Sequence, residues 1–189
     1  NISNDTWVPK IKSRIDVLVN NTIWNDGAYV EASMGYGLAV YAKYYEFMEM
    51  AEKINIKLSD DFNDKFTRFT MYFIDMSASN GQMQSYGDGG GGGVLEHIDK
   101  TADLYMQSDD PEMVKYGKQF KYFSSQGKEG EVIDHTSTYY PVGKAAIMRD
   151  SWDPNGHFAF ISGGNDGGHN HKDHLAFHLA AYGRPLIKD

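Results

Sequence analysis

Apolar residues recur along the chain in two rhythms, and the change between them falls near residue 127. Before it, Trp7, Val8, Ile11, Ile15, Leu18 and Val19 repeat at helical spacing, and residues 32 to 54 form a second long helical stretch. A third helix is predicted from about Asp60 to Ala78, with Ser59 as N-cap and Phe62, Phe66, Phe69, Phe73 and Ile74 close to one face. Those aromatics read as core, not as a ligand platform. Asp110-Pro111-Glu112 has the residue types of another helix start, since proline is tolerated in the first turn and aspartate can accept from the free amides there. That helix is expected to reach Phe123. After residue 127 the apolar runs shorten. Lys144 to Arg149 and His157 to Ile161 read as strands paired through a turn at Asp153-Pro154-Asn155-Gly156. Leu175, Phe177 and Leu179 alternate with Ala176 and His178, which predicts a strand burying the first three residues and exposing His178. Tyr182-Gly183-Arg184-Pro185 then turns the chain toward Leu186-Ile187. So few strands cannot cover both faces of a sheet, so residues 128–189 are expected to begin a larger β domain, with residues 1–127 forming a helical one.

Composition adds exclusions. Of the 189 residues, 41% are hydrophobic and 23% charged, with a formal net charge of −8, which is a globular balance with no sign of disorder. The acidity and the scattered Lys and Arg argue against a nucleic-acid partner. The absence of cysteine removes thiol catalysis, disulfides and thiolate metal sites. No apolar run approaches the length that inserts into a membrane.

Two segments carry chemistry. Gly167-Gly168-His169-Asn170-His171-Lys172-Asp173-His174 packs three histidines and a carboxylate into eight residues just ahead of a strand. Imidazole and carboxylate suit a borderline metal such as zinc, and imidazole exchanges protons near neutral pH. The other segment, Asp26-Gly27-Ala28-Tyr29-Val30-Glu31-Ala32-Ser33-Met34-Gly35-Tyr36, leads from a turn into a long helix. Gly87-Asp88-Gly89-Gly90-Gly91-Gly92-Gly93 is not a phosphate loop: no Lys-Ser/Thr follows to reach phosphates and magnesium, and a loop at a cleft rim is the better reading. His97 and His135 carry no argument.

Together these motifs resemble the heparinase II/III-like polysaccharide lyases, which cleave uronate-containing chains such as heparin, heparan sulfate and alginate. The stretch Asp26 to Tyr36 resembles the family's Asp-Gly, aromatic, Glu and tyrosine pattern. The second likeness runs from Gly143 through Met148-Arg149-Asp150-Ser151-Trp152 and His169-Asn170-His171-Lys172-Asp173 to Tyr182-Gly183-Arg184-Pro185-Leu186-Ile187-Lys188-Asp189. The resemblance implies an incomplete α/α toroid of helical hairpins followed by the first part of an antiparallel β-sandwich, with the cleft between them. It implies Tyr36 as general base and acid, with His169 beside it. It also implies His171 and Asp189 as ligands of a divalent metal, zinc first and manganese or calcium as alternatives, with a third ligand expected beyond residue 189. A secreted or periplasmic location follows from the family alone.

The implied chemistry suits these residues. β-Elimination at C4 of a uronate removes the C5 proton, which is weakly acidic until the neighbouring carboxylate is neutralised. In the family an Asn or His on an earlier helix does this, and no segment before Asn21 matches it. A phenol, with a reference pKa of about 10, needs a cation or donor nearby to act as base, and His169 is the local candidate. Glu31, Arg149 and Trp152 are candidates for binding the substrate, an anionic uronate polysaccharide. Glu31 equally fits bracing of the helix start and Arg149 a strand-surface charge, while for Trp152 packing at the rim is preferred to stacking on a sugar. Asp173 could orient His171, while Lys172 and His174 are expected in solvent. Alginate is slightly preferred over heparin-type chains because no basic cluster for sulfate groups stands out. Other classes remain: a metal-stabilised carbohydrate-binding relative without turnover, a metal-dependent nuclease suggested only by His169-Asn170-His171, and a hydrolase that lacks a second carboxylate to partner Glu31.

Overall fold

A computed structural model describes residues 4–31, 33–84, 92–164, 168 and 175–187. Among the described residues five α-helices precede five strands: α1 (Asn4–Thr22), α2 (Met34–Lys53), α3 (Asp60–Asp75), α4 (Leu95–Met106), α5 (Pro111–Ser124), β1 (Thr138–Tyr140), β2 (Ala145–Arg149), β3 (Phe158–Ser162), β4 (Phe177–Ala181) and β5 (Arg184–Ile187). The glycine run lies largely outside them.

Helix starts follow the capping residues. Ser59 Oγ accepts from the Phe62 amide at 3.1 Å and donates to Asp16, which pins the start of α3 to α1. Asp110 accepts from the Glu112 amide at 2.9 Å, with Pro111 as the first residue of α5. α3 forms the centre of the helical layer. Phe62, Phe66, Phe69, Phe73 and Ile74 are all fully buried, and Tyr41 of α2 lies with its ring centroid 4.9 Å from that of Phe66. Each such side chain contributes about 1.5–3 kcal/mol of burial, so this ladder is a large share of the helical core. The apolar stripe of α1 behaves differently: Val19 is buried, whereas Trp7, Ile11 and Leu18 are about half exposed.

The strands form one antiparallel sheet in the order β1-β2-β3-β4-β5. The β2–β3 turn has Asp153 accepting from the Asn155 amide at 2.7 Å and Gly156 donating back to the Asp153 carbonyl at 2.8 Å, as its residue types predict. Against the helices the sheet buries Tyr140, Ala145, Ile147, Arg149, Phe158, Phe160, His178 and Ala180. Its other face carries Tyr139, Met148, Phe177 and Ile187, all exposed. The expected polarity of β4 is therefore reversed. His178 is 1% exposed while Leu175 and Phe177 are 72% and 37% exposed. The alternation is real, but the sheet is apolar on both sides, and in β4 the buried face is the one with small and polar side chains, which lies in register with buried Phe158 and Phe160 of β3.

Candidate active site

The tyrosine segment begins as a tight loop between α1 and α2. Trp24 donates its amide to Ala28 O and Gly27 donates to Trp24 O, both at 2.9 Å. Two cations of α3 hold this loop from beneath: buried Lys65 donates to Ile23 O at 3.0 Å and to Asn25 Oδ1 at 2.9 Å, and Arg68 donates to Asn25 O at 2.7 Å. Gly27 has φ +92°, and a Cβ there would come within 2.5 Å of the Arg68 carbonyl oxygen. A Gly27→Ala change must both strain φ and displace α3, so a loss of at least about 1–3 kcal/mol is expected. Urea unfolding checks it, and an unchanged midpoint refutes it.

From this loop the chain reaches Glu31 and then Ser33, whose side chain caps α2, placing Tyr36 in the first helical turn. The Tyr36 ring is 44% exposed and so is available at the surface of the helical layer. Tyr29 donates its hydroxyl to Glu31 Oε2 at 2.9 Å; burial first, and then this bond, raise the Tyr29 phenol above its usual range. Glu31 also lies near Gly168. A Cβ built on Gly168 would lie 3.7 Å from Glu31 Cγ and 3.9 Å from its Cδ.

His169, His171, Asp173 and Asp189 lie outside the described residues, as do Lys172 and His174. The sheet does fix how their segments leave it. The loop is closed at its base by Ser162 and Ala176, with Ser162 N donating to Ala176 O and Leu175 N to Ser162 O, both at 2.9 Å. β5 runs antiparallel to β4 with Ile187 opposite Leu179, so the chain enters β4 and leaves β5 at the same end of the sheet. An imidazole and a carboxylate from those two segments are a donor set that suits zinc or manganese.

No protein-family model and no curated protein matches the chain. Solved structures do. A heparinase III is 21% identical, with a TM-score of 0.83 over 94% of this chain and 28% of its own. A heparan sulfate lyase from Pedobacter heparinus is 18% identical, with a TM-score of 0.80 over 94% of this chain and 27% of its own. A further heparinase III is 20% identical, with a TM-score of 0.76 over 99% of this chain and 31% of its own. The chain has the heparinase III fold. Its helices correspond to part of that fold's helical toroid and its sheet to the start of the β-sandwich. It spans under a third of the length of these neighbours.

Within this heparinase III fold, two expected substrate contacts have a different place. Arg149 is 6% exposed. Its guanidinium donates to Asp75 O at 2.7 Å, to Ser77 O at 3.2 Å and to Ser79 Oγ at 3.3 Å, and stacks 3.8 Å from the centre of the Trp152 ring. It is not a surface charge: its described bonds tie β2 to the C-terminal end of α3, where unpaired carbonyls attract a cation. Burial lowers its pKa to about 10, an effect opposed by Asp75 and Tyr140. Trp152 is 5% exposed and donates Nε1 to His135 O at 2.6 Å, so its ring packs in the junction.

His135, which the sequence does not single out, is part of the same junction of this heparinase III fold. Its Nε2 lies 2.9 and 3.1 Å from the two oxygens of buried Asp75, which also accepts from Tyr140 Oη at 2.7 Å. The Asp75 bond raises the His135 pKa above its ordinary value of 6.5, against the opposing effect of burial. A raised folded pKa means that the pair's stabilisation is complete below the unfolded value and fades as pH rises through the folded one. Urea midpoints are therefore expected to fall as the pH rises from about 6.5, and His135→Gln should flatten that slope. An identical slope in the variant would remove His135 from the account.

Proposed function

We propose that this chain is part of a heparinase II/III-like polysaccharide lyase that cleaves a uronate-containing polymer by β-elimination. The observation that carries this reading is the nearness of Gly168 to Glu31, where a Cβ built on Gly168 would lie 3.7 Å from Glu31 Cγ, taken with the Tyr36 and histidine motifs on either side. The fold supports it independently. Residues 1–127 then belong to the catalytic toroid and residues 128–189 to the sandwich that closes the cleft.

In this reading Tyr36 removes the C5 proton, the C5–H electrons form the C4=C5 double bond, and the C4–O bond breaks toward the leaving oxygen. That oxygen takes up a proton, which Tyr36 can return. His169 assists from the loop by donating to the phenolate or to the uronate. Glu31 is better suited to bracing the loop than to binding an anion, because its carboxylate already accepts from Tyr29. His171 and Asp189 would hold a divalent metal, zinc first, whose contribution when bound is to restrain the loop.

The fold neighbours are heparan sulfate and heparin lyases, which moves heparan sulfate ahead of alginate as the first polymer to test. Among the described residues no helix is long and apolar enough to cross a membrane. A secreted or periplasmic lyase meeting an extracellular polymer fits this reading. The test is the ultraviolet absorbance of unsaturated uronate products from the full-length protein given heparan sulfate, alginate and chondroitin sulfate in parallel. Rising absorbance on one polymer identifies a lyase and its substrate; retained binding without product on all three identifies a non-catalytic relative.

A further inference from the structure

Asp26 connects the two halves of the proposed site. Its Oδ2 accepts from two successive backbone amides of the β1–β2 turn, Val142 at 2.8 Å and Gly143 at 3.0 Å, while Oδ1 accepts from Ala28 at 3.2 Å. The fit is close: a Cβ on Gly143 would lie 2.6 Å from Ala28 Cβ. The next residue of the turn, Lys144, accepts at its carbonyl from Gly163 N at 2.6 Å, and Gly163 begins the loop that carries the histidines. One carboxylate, ten residues before Tyr36, therefore holds the strand turn to which the root of the histidine loop is bonded.

We infer that Asp26 is a positioning residue, which sets the histidine loop relative to Tyr36 by docking the β1–β2 turn onto the tyrosine segment. The inference rests on the lyase reading above. A carboxylate suits the task because charge-assisted bonds to two adjacent N–H groups are short and directional. The reaction needs a phenol from one layer and an imidazole from the other, and misplacement by about 1 Å lowers rates by about 100-fold.

In the full-length protein, Asp26→Ala should lower kcat about 10–100-fold while KM for the same polymer stays within about threefold, in assays run well below the unfolding midpoint. Asp26→Asn, which keeps one acceptor oxygen, should fall between wild type and Asp26→Ala. A second pair approaches the same contact from the other side. Gly143→Ala should also lower kcat, by pressing a methyl group into Ala28, and adding Ala28→Gly should restore it. Hydrogen exchange gives a readout free of activity: Asp26→Ala should accelerate exchange at Val142 and Gly143 and also across residues 163–176. Unchanged kcat in Asp26→Ala, no recovery in the Gly143/Ala28 pair, or exchange confined to residues 142 and 143 each overturns the inference. If wild type forms no unsaturated product on any polymer, the lyase reading fails, and the exchange experiment alone decides whether Asp26 couples the turn to the loop.

Discussion

Replacing Tyr36 by Phe in the full-length protein is expected to lower product formation by about 10²–10⁴-fold, the range in which positioned acid–base groups contribute. The loss should appear in kcat, because the hydroxyl acts on the C5 proton and the leaving oxygen, while binding along the polymer depends on many other contacts. Stability should be preserved within about 0.5 kcal/mol, since the ring stays and is 44% exposed at the first turn of α2. The measurement is initial ultraviolet absorbance on the polymer that wild type accepts, with a thermal melt on each sample. A variant retaining more than about a tenth of wild-type kcat removes Tyr36 from the proton transfer.

Local rules made much of this fold readable. Ser59 and Asp110 mark helix starts by their own side-chain bonds, and the Phe62 to Phe73 ladder repeats at helical spacing, so one segment of sequence contains both cause and effect. The β2–β3 hairpin was likewise legible in its turn residues and alternation. What remained hidden is non-local. Alternation in β4 divides residues 175 to 180 into two sets, but hydrophobicity favours Leu175, Phe177 and Leu179, whereas Ala176, His178 and Ala180 are the set that is buried. Arg149 looked equally like a ligand or a surface charge because nothing near it in sequence reveals that the end of α3 lies against it. Asp75 and His135 are 60 residues apart, and neither stands in a motif. The candidate site divides along the same line. Its residue types could be read through the motif resemblance, whereas the Asp26 bridge depends on the docking of helices on sheet.

That docking makes Arg149 the residue whose loss should most reduce stability. Arg149→Met keeps an apolar stem but leaves Asp75 O, Ser77 O and Ser79 Oγ without their cation, and it ends the stacking on Trp152. Unpaired buried acceptors cost about 1–3 kcal/mol and a desolvated cation–π contact is worth up to about 2 kcal/mol, so a loss of about 3–5 kcal/mol is expected. Against a typical total of about 5–15 kcal/mol this is a large share. Arg149→Lys should recover only part of it, because one ammonium on a flexible stem cannot span three acceptors and stack at the same time. Urea unfolding followed by tryptophan fluorescence measures both variants, and Trp152 reports on the junction directly. If Arg149→Met unfolds within about 1 kcal/mol of wild type, the burial of the cation offsets its bonds, and the helix–sheet junction is held by its other contacts, Asp75 with His135 and Tyr140 among them.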